Sequence, residues 1–135
     1  MLFARQRGVR ILLENTPNAL SSAERLIHFL GITHLDLGFV FDTGHAHMGP
    51  GIEREFDIMK ERIRSTHVHD NDGKSDTHLF PMLAETGGTI DWKKTMALLH
   101  SRDGQYPLVL ELKEVAEMSH PLDQVNRVFD ELESQ

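Results

Sequence analysis

Four short apolar segments alternate with amphipathic segments along this chain, and each of the four carries a potential metal ligand near its end. The segments are Val9–Asn15, Leu35–Asp42, Ser65–Asp70 and Tyr106–Leu112. Nearly continuous apolar runs of this length are typical of strands that are buried on both faces of a parallel sheet. The sequence therefore predicts successive strands that run in the same direction.

Helical patterns separate the predicted strands. Ser21 to Glu24 form a capping box, and Gly31 is expected to end the helix that follows. The next helix is predicted to carry Glu55 on its solvent side, opposite apolar residues at helical spacing: Ile52, Phe56, Met59 and Ile63. Two more helical patterns follow, over 91–99 and from Leu122 to Leu132.

Strands that alternate with helices at this spacing indicate parallel βαβ units. We therefore predict an α/β fold of the (βα)4 type, with four parallel strands and flanking helices. The length of 135 residues allows one domain, 1–135.

Composition and charge exclude several classes of protein. The net charge of −7 and the pI near 5.6 argue against a basic surface for nucleic acid, so nucleic acid is not expected as a partner. The absence of cysteine excludes disulfides and thiolate metal sites. The first ten residues lack the apolar core of a signal peptide, and no segment reaches membrane-spanning length, so we expect a cytoplasmic protein without membrane contact.

Potential metal ligands stand near the C-terminal ends of all four predicted strands, at Glu14, Asp42, His67 and Glu111. A carboxylate on an apolar strand is unfavourable unless it is paired or bound to a cation. One such acid is commonly a strand-end cap or an ion-pair partner. Four ligands on four consecutive strands instead predict a shared site, because parallel strands build their sites where their C-terminal ends meet.

A polar stretch from Thr66 to His78 is the second candidate for metal binding. It holds three histidines and three aspartates in thirteen residues. Imidazole together with carboxylate suits zinc, iron or manganese. Acidic loops that contain glycine are also common as plain solvated surface, so this stretch alone leaves both interpretations open.

In chain order, five stretches resemble the signature segments of the xylose isomerase-like barrels: GVRILLENTP, LGFVFDTGHAH, THVHDNDGKSDTH, GGTIDW and LVLELK. That superfamily includes sugar phosphate isomerases and epimerases, relatives of tagatose and psicose epimerases, and endonuclease IV of AP endonuclease family 2. The resemblance covers strands five to eight of an eight-stranded barrel. It therefore implies the C-terminal half of a TIM barrel.

The resemblance also implies a reaction and its residues. Glu14, Asp42, His67 and Glu111 match the four ligands of the family's divalent cation, for which we expect Mn²⁺, with Zn²⁺, Co²⁺ or Mg²⁺ as alternatives. In the epimerases Glu14 and Glu111 would also be the catalytic acid/base pair. They would move the proton next to a carbonyl of a small sugar or sugar phosphate, while the metal stabilises the enediolate.

Four residues near or beyond the ends of the second and third predicted strands extend these matches: His45, His69, Asp76 and His78. His45 matches a substrate contact of epimerases and a zinc ligand of endonuclease IV, and Asp76 and His78 match the D-x-H pair of the same zinc site. We therefore expect His45, Asp76 and His78 to converge as metal ligands, and His45 and His69 to bind substrate. His69 stands where the endonuclease pattern has Asn, which disfavours a phosphodiesterase. The histidines that have no match are expected in a loop or at the surface: His28, His34, His47, His100 and His120.

Three functions stay open at this point. The leading hypothesis is a sugar or sugar-phosphate isomerase or epimerase, and the alternatives are an endonuclease IV-like zinc phosphodiesterase and a metal-binding half-barrel without catalysis. Barrel strands one to four have no counterpart in the chain, which leaves the strands around Ile11–Glu14 and Leu108–Leu112 as unpaired apolar edges. We therefore expect a homodimer, or a complementary half-barrel chain, to cover these edges.

Overall fold

A computed structural model describes residues 2–83, 86–102, 107–112 and 121–134. The strands are β1 (Leu12–Glu14), β2 (Gly38–Asp42), β3 (Ile63–Val68) and β4 (Leu108–Leu110). The helices are α1 (Leu2–Arg5), α2 (Ala23–Thr33), α3 (Thr43–Met48), α4 (Ile52–Met59), α5 (Trp92–His100) and α6 (Pro121–Glu133), with a short 3-10 helix over Lys60–Arg62. Among the described residues, no helix is long and apolar enough to cross a membrane.

The strands form one parallel sheet in the order β1-β2-β3-β4. Each strand pairs with its neighbour in sequence, and the register places Asp42 beside His67 and Glu14 beside Val40. The predicted α/β fold with four parallel strands and flanking helices is confirmed. The pairing brings the C-terminal ends of all four strands to the same end of the sheet, and this end carries the predicted ligands.

Several element bounds differ from the sequence-based prediction. Helix α2 continues through Gly31 and ends at Thr33, because His34 adopts the left-handed conformation that closes it, with φ of 53°. Ile63 begins β3 instead of ending α4, since the chain leaves α4 through the 3-10 helix. Helix α3 was not predicted, because its six residues carry no apolar periodicity. Strands β1, β2 and β4 are also shorter than the apolar segments that predicted them, and β3 begins and ends two residues earlier than its segment.

The core lies between the sheet and the helices. Phe39 and Phe41 are fully buried on one face of β2, and the ring of Phe41 meets that of Phe56 on α4 edge-on, with centroids 5.6 Å apart. Three residues predicted for one face of α5 are buried as expected: Trp92, Met96 and Leu99. The opposite face of the sheet is more open, and Val109 on β4 is 43% exposed there. The sheet is therefore packed more closely on its helical side.

Candidate metal centre

The four predicted strand-end ligands lie together, and we call them the carboxylate cluster: Glu14, Asp42, His67 and Glu111. Each offers one ligand atom, and these atoms all lie within 4.8 Å of one another. Nδ1 of His67 is 3.0 Å from Oε1 of Glu14 and 3.0 Å from Oε2 of Glu111. The parallel register produces this convergence, because the side chains come from the same end of adjacent strands.

The electrostatics of the carboxylate cluster favour a cation. Burial raises the pKa of Glu14, and the nearby His67 opposes that shift only in part. Asp42 is fully buried, and none of the residues that the structure describes makes a hydrogen bond to its Oδ2. Two carboxylates about 4 Å apart repel each other by about 4 kcal/mol at an effective dielectric constant near 20. Three carboxylates and one imidazole therefore suit a divalent ion bound through oxygen and nitrogen.

Asn15 and Glu55 form hydrogen bonds that link the segments carrying this cluster. Neither role was predicted from the sequence. The buried Asn15 side chain joins β1 to β2, since it donates to the carbonyl of Asp42 at 3.0 Å and accepts from its N–H at 2.8 Å. It also donates to Oε2 of Glu55 at 2.8 Å. The prediction that Glu55 faces solvent is wrong. It is only 3% exposed, because α4 turns this side chain toward β1, and burial raises its pKa.

A second group of side chains lies beside the first, and we call it the histidine cluster: His45, His69, Asp76 and His78. Their ligand atoms also lie within 4.8 Å of one another. Nε2 of His78 is 3.0 Å from Oδ1 of Asp76, and Nε2 of His45 is 3.6 Å from Oδ2 of the same carboxylate. The structure thus brings His45, Asp76 and His78 together as the sequence indicates, while metal binding by them stays a prediction.

His69 lies deeper than a substrate contact requires. Its ring is fully buried and stacks on the ring of His78, with centroids 3.9 Å apart and planes 2° from parallel. Burial alone would lower the pKa of His69, but the Asp42 carboxylate beside it outweighs burial and raises that pKa. A substrate would have to displace neighbouring groups to reach this ring. Substrate binding by His69 therefore stays an untested prediction.

Asp70 fixes the loop that carries Asp76 and His78. Its backbone pairs with Leu79 through two hydrogen bonds of 2.8 and 2.9 Å. Its buried carboxylate accepts from the indole N–H of Trp92 at 2.6 Å and from the backbone N–H groups of Thr89 and Ile90. A Cβ atom at Gly88 would lie 2.3 Å from this carboxylate, so only glycine permits the close approach. The burial of Asp70 was not evident from the sequence, because its donors lie about twenty residues further along the chain.

The remaining histidines that the structure describes lie apart from both clusters. His47 is on α3, where its Nε2 lies 2.8 Å from the hydroxyl of Thr89, so the loop position predicted for it is wrong. His28, His34 and His100 are exposed as predicted, and His120 lies outside the described residues.

The family model described as the xylose isomerase-like TIM barrel matches residues 2–133, which is nearly the whole chain. The chain belongs to the xylose isomerase-like TIM barrel family. A match of this extent confirms the resemblance that the five sequence stretches indicated. Which strands of the complete barrel are present here stays a prediction.

Individual relatives agree with the family. The chain is 30% identical over 112 residues to an uncharacterized protein, y4fM, of Sinorhizobium fredii, covering 78% of this chain and 34% of that protein. It superposes on a D-tagatose 3-epimerase-like protein with a TM-score of 0.74 at 23% identity, over 98% of this chain and 51% of the other. It also superposes on the 3-keto-D-glucoside 4-epimerase YcjR of E. coli with a TM-score of 0.79 at 16% identity, over 99% of this chain and 49% of the other.

These superpositions show that the fold matches half of a TIM barrel. The chain spans about half the length of the solved structures and about one third of the curated relative.

Proposed function

We propose that the carboxylate cluster binds a divalent cation and belongs to a sugar or sugar-phosphate isomerase or epimerase. The observation that carries the proposal is the convergence of Glu14, Asp42, His67 and Glu111 within 4.8 Å at the C-terminal ends of four parallel strands. Membership of a family whose solved members include sugar epimerases supports the carbohydrate substrate. We infer Mn²⁺ as the cation, with Zn²⁺, Co²⁺ or Mg²⁺ as alternatives, because oxygen ligands dominate the set.

The distances of the two glutamates from His67 support their assignment as the acid/base pair. Glu14 and Glu111 approach His67 Nδ1 equally closely, at 3.0 Å each, so they flank the same point from the two outer strands. One would accept the proton next to the substrate carbonyl, and the other would donate it to the neighbouring position. Asp42 and His67, which lie on the two inner strands, would be the other two ligands of the cation. The cation, when bound, supplies Lewis-acid polarisation of the substrate's oxygens.

The histidine cluster supports an extension of this proposal and one rival. We infer that His45, Asp76 and His78 bind a further cation, with His45 also near enough to the carboxylate cluster to contact substrate, since its Nδ1 is 3.5 Å from Glu14 Oε1. Such a further site would also fit an endonuclease IV-like phosphodiesterase. The net charge of −7 opposes that rival, because phosphate backbones are bound by clustered Lys and Arg.

The exposed face of the sheet supports the proposal that a partner chain packs against it. Val109 is 43% exposed, and Leu12 and Val40 on the same face are only partly buried. In complete barrels such residues pack in layers against the opposite strands. We propose that a second copy of this chain, or a complementary half-barrel chain, covers this face and the edges of β1 and β4.

The experiment that tests the function is substitution of Glu111 by Gln. The variant should bind Mn²⁺ more weakly and lose turnover of keto-sugars, because one carboxylate serves as both ligand and proton carrier. Glu133→Gln at the exposed end of α6 is the matched control and should change neither property. Calorimetry measures the affinity, and a panel of keto-sugars and their phosphates measures turnover.

The possible results separate the three hypotheses. Unchanged Mn²⁺ affinity in the Glu111→Gln variant would refute the ligand assignment. One or two cations per chain together with turnover supports the isomerase, and three cations with cleavage of abasic DNA supports the phosphodiesterase. Metal binding with no turnover of either substrate class identifies a half-barrel without catalysis.

A further inference from the structure

We infer that His69 is the fourth ligand of the cation in the histidine cluster, which makes this cluster a closed tetrahedral site suited to Zn²⁺. The inference rests on the proposal that His45, Asp76 and His78 bind a cation. It is independent of the reaction assigned to the carboxylate cluster. It also gives His69 a structural role in place of the substrate contact that the family resemblance implied.

The buried nitrogen of His69 is the observation that carries the inference. The ring is fully buried, and no hydrogen bond to its Nε2 is found among the described residues. This atom is 3.1 Å from Oδ1 of Asp42 and 4.0 Å from Oδ1 of Asp76. Buried polar atoms without a partner are rare in folded proteins. A cation between His69 and Asp76 would satisfy this nitrogen.

The other two histidines already present the correct nitrogen. Nδ1 of His45 lies 2.9 Å from the carbonyl of Asn15, and Nδ1 of His78 lies 2.8 Å from the carbonyl of Glu111. A carbonyl accepts only, so each Nδ1 carries the proton and each Nε2 is left with a free lone pair. Histidines that bind metals commonly donate their second N–H in this way. Both Nε2 atoms face the Asp76 carboxylate.

Close packing fixes the His69 ring within the cluster. A Cβ atom at Gly44 would lie 2.0 Å from Cε1 and 2.4 Å from Nδ1 of this ring, so the ring occupies space that only glycine leaves free. The stacked ring of His78 confines the other side. The position of Nε2 is therefore set by the surrounding fold and does not depend on a hydrogen bond.

The ligand set has a defined chemical preference. Three imidazole nitrogens and one carboxylate oxygen make four ligands, the number that structural zinc sites use with tetrahedral geometry. His45 comes from α3, and the other three come from the segment that follows β3, so one cation would join α3 to this segment. His78 adopts a left-handed backbone with φ of 51°, a conformation that persists where surrounding contacts hold it.

X-ray absorption at the zinc edge tests the ligand count directly. The 135-residue chain carrying Glu111→Gln is stripped with a chelator and loaded with one equivalent of Zn²⁺, so that the weakened carboxylate cluster does not compete. The expected spectrum shows four ligands near ~2.0–2.1 Å, three of them imidazole. Two imidazoles, or five or six ligands, would overturn the inference. A single imidazole among oxygen ligands would overturn it too, and would also count against the proposed role of Glu111, because the ion would then occupy the carboxylate cluster.

Substitution of His69 by Asn provides a second readout. Zn²⁺ affinity should fall by at least ~10–100-fold. Loss of a residue that only hydrogen-bonds to a ligand already weakens binding by this factor, and loss of a ligand should weaken it at least as much. Bound Co²⁺ should also lose the intense visible absorption of a tetrahedral site. His100→Asn, an exposed histidine at the end of α5, is the control and should keep both properties. A folded His69→Asn chain that binds Zn²⁺ as tightly as the parent would refute the inference. If that variant does not fold, the absorption spectrum of the intact cluster decides.

Discussion

Replacing Asp42 with Asn is the sharpest test of a cation in the carboxylate cluster. Asp42 is fully buried, its Oδ1 accepts from the backbone N–H of His45 at 2.7 Å to cap α3, and no hydrogen bond to its Oδ2 is found among the described residues. Asn has the same size, and Asn and Asp cap helices almost equally well. The substitution therefore removes the charge and leaves the cap in place.

The expected loss follows from ligand linkage. Removing one of three carboxylates should weaken Mn²⁺ binding about 100-fold, the upper end of the effect of outer-shell changes. Mn²⁺ at about 1,000 times the dissociation constant stabilises the parent by about 4.1 kcal/mol, and the same concentration stabilises the variant by about 1.4 kcal/mol. The difference of about 2.7 kcal/mol corresponds to roughly 8–13 °C in melting temperature for a chain of this size.

Without metal the effect of the substitution should be smaller. A buried carboxylate near two others is unfavourable, because desolvation and repulsion both act on its charged form, but the Asp42 charge also lies 3.1 Å from the buried Nε2 of His69. The amide that the substitution introduces is neutral, and the carboxylates of Glu14 and Glu111 offer it acceptors within the same cluster. We therefore expect metal-free Asp42→Asn to differ in stability from the metal-free parent by less than the two chains differ with Mn²⁺ bound.

Thermal denaturation followed by circular dichroism measures both effects, with chelator or with Mn²⁺. Asp36→Asn is the matched control, since the Asp36 side chain is 85% exposed and precedes the N-terminal end of β2, whereas the cluster lies at the C-terminal ends of the strands. Mn²⁺ should raise the melting temperature of the control as much as that of the parent. It should raise the melting temperature of Asp42→Asn by less. An equal rise in parent and Asp42→Asn would refute the cation site, and so would a parent that does not respond to Mn²⁺.

Two further predictions concern assembly and pH. Light scattering should give a mass above the 15.4 kDa of one chain. The reason is that the face around Val109 is exposed and that, among the described residues, β1 and β4 are edge strands. A monomer that melts cooperatively would contradict this prediction. Glu55→Gln should stabilise the chain more near pH 7 than near pH 4.5. Burial raises the pKa of Glu55, so the parent is most stable below the pKa of an unfolded glutamate and loses stability as the pH rises through the folded value. Chemical denaturation at the two pH values measures this, and an equal gain at both would show that Glu55 does not titrate as inferred.

The sequence by itself determined the sheet and the carboxylate cluster. Apolar runs and helical spacing are local signals, and they were sufficient to predict four parallel strands in the observed order. Because parallel neighbours align their C-terminal ends, a ligand near the end of each run was enough to bring Glu14, Asp42, His67 and Glu111 together. The spacing of His45, Asp76 and His78 likewise predicted their convergence through the family resemblance.

Only the tertiary structure decided which polar side chains are buried. Asn15 reaches Glu55 across 40 residues, and Asp70 collects donors from a segment about twenty residues away. His69 differs from an exposed loop histidine only because Gly44 and His78 close around its ring. Burial of a polar group depends on contacts between distant segments, since it requires both the removal of water and the supply of partners. Neither condition leaves a periodic signal in the sequence, so the roles of these side chains became visible only when the segments were packed together.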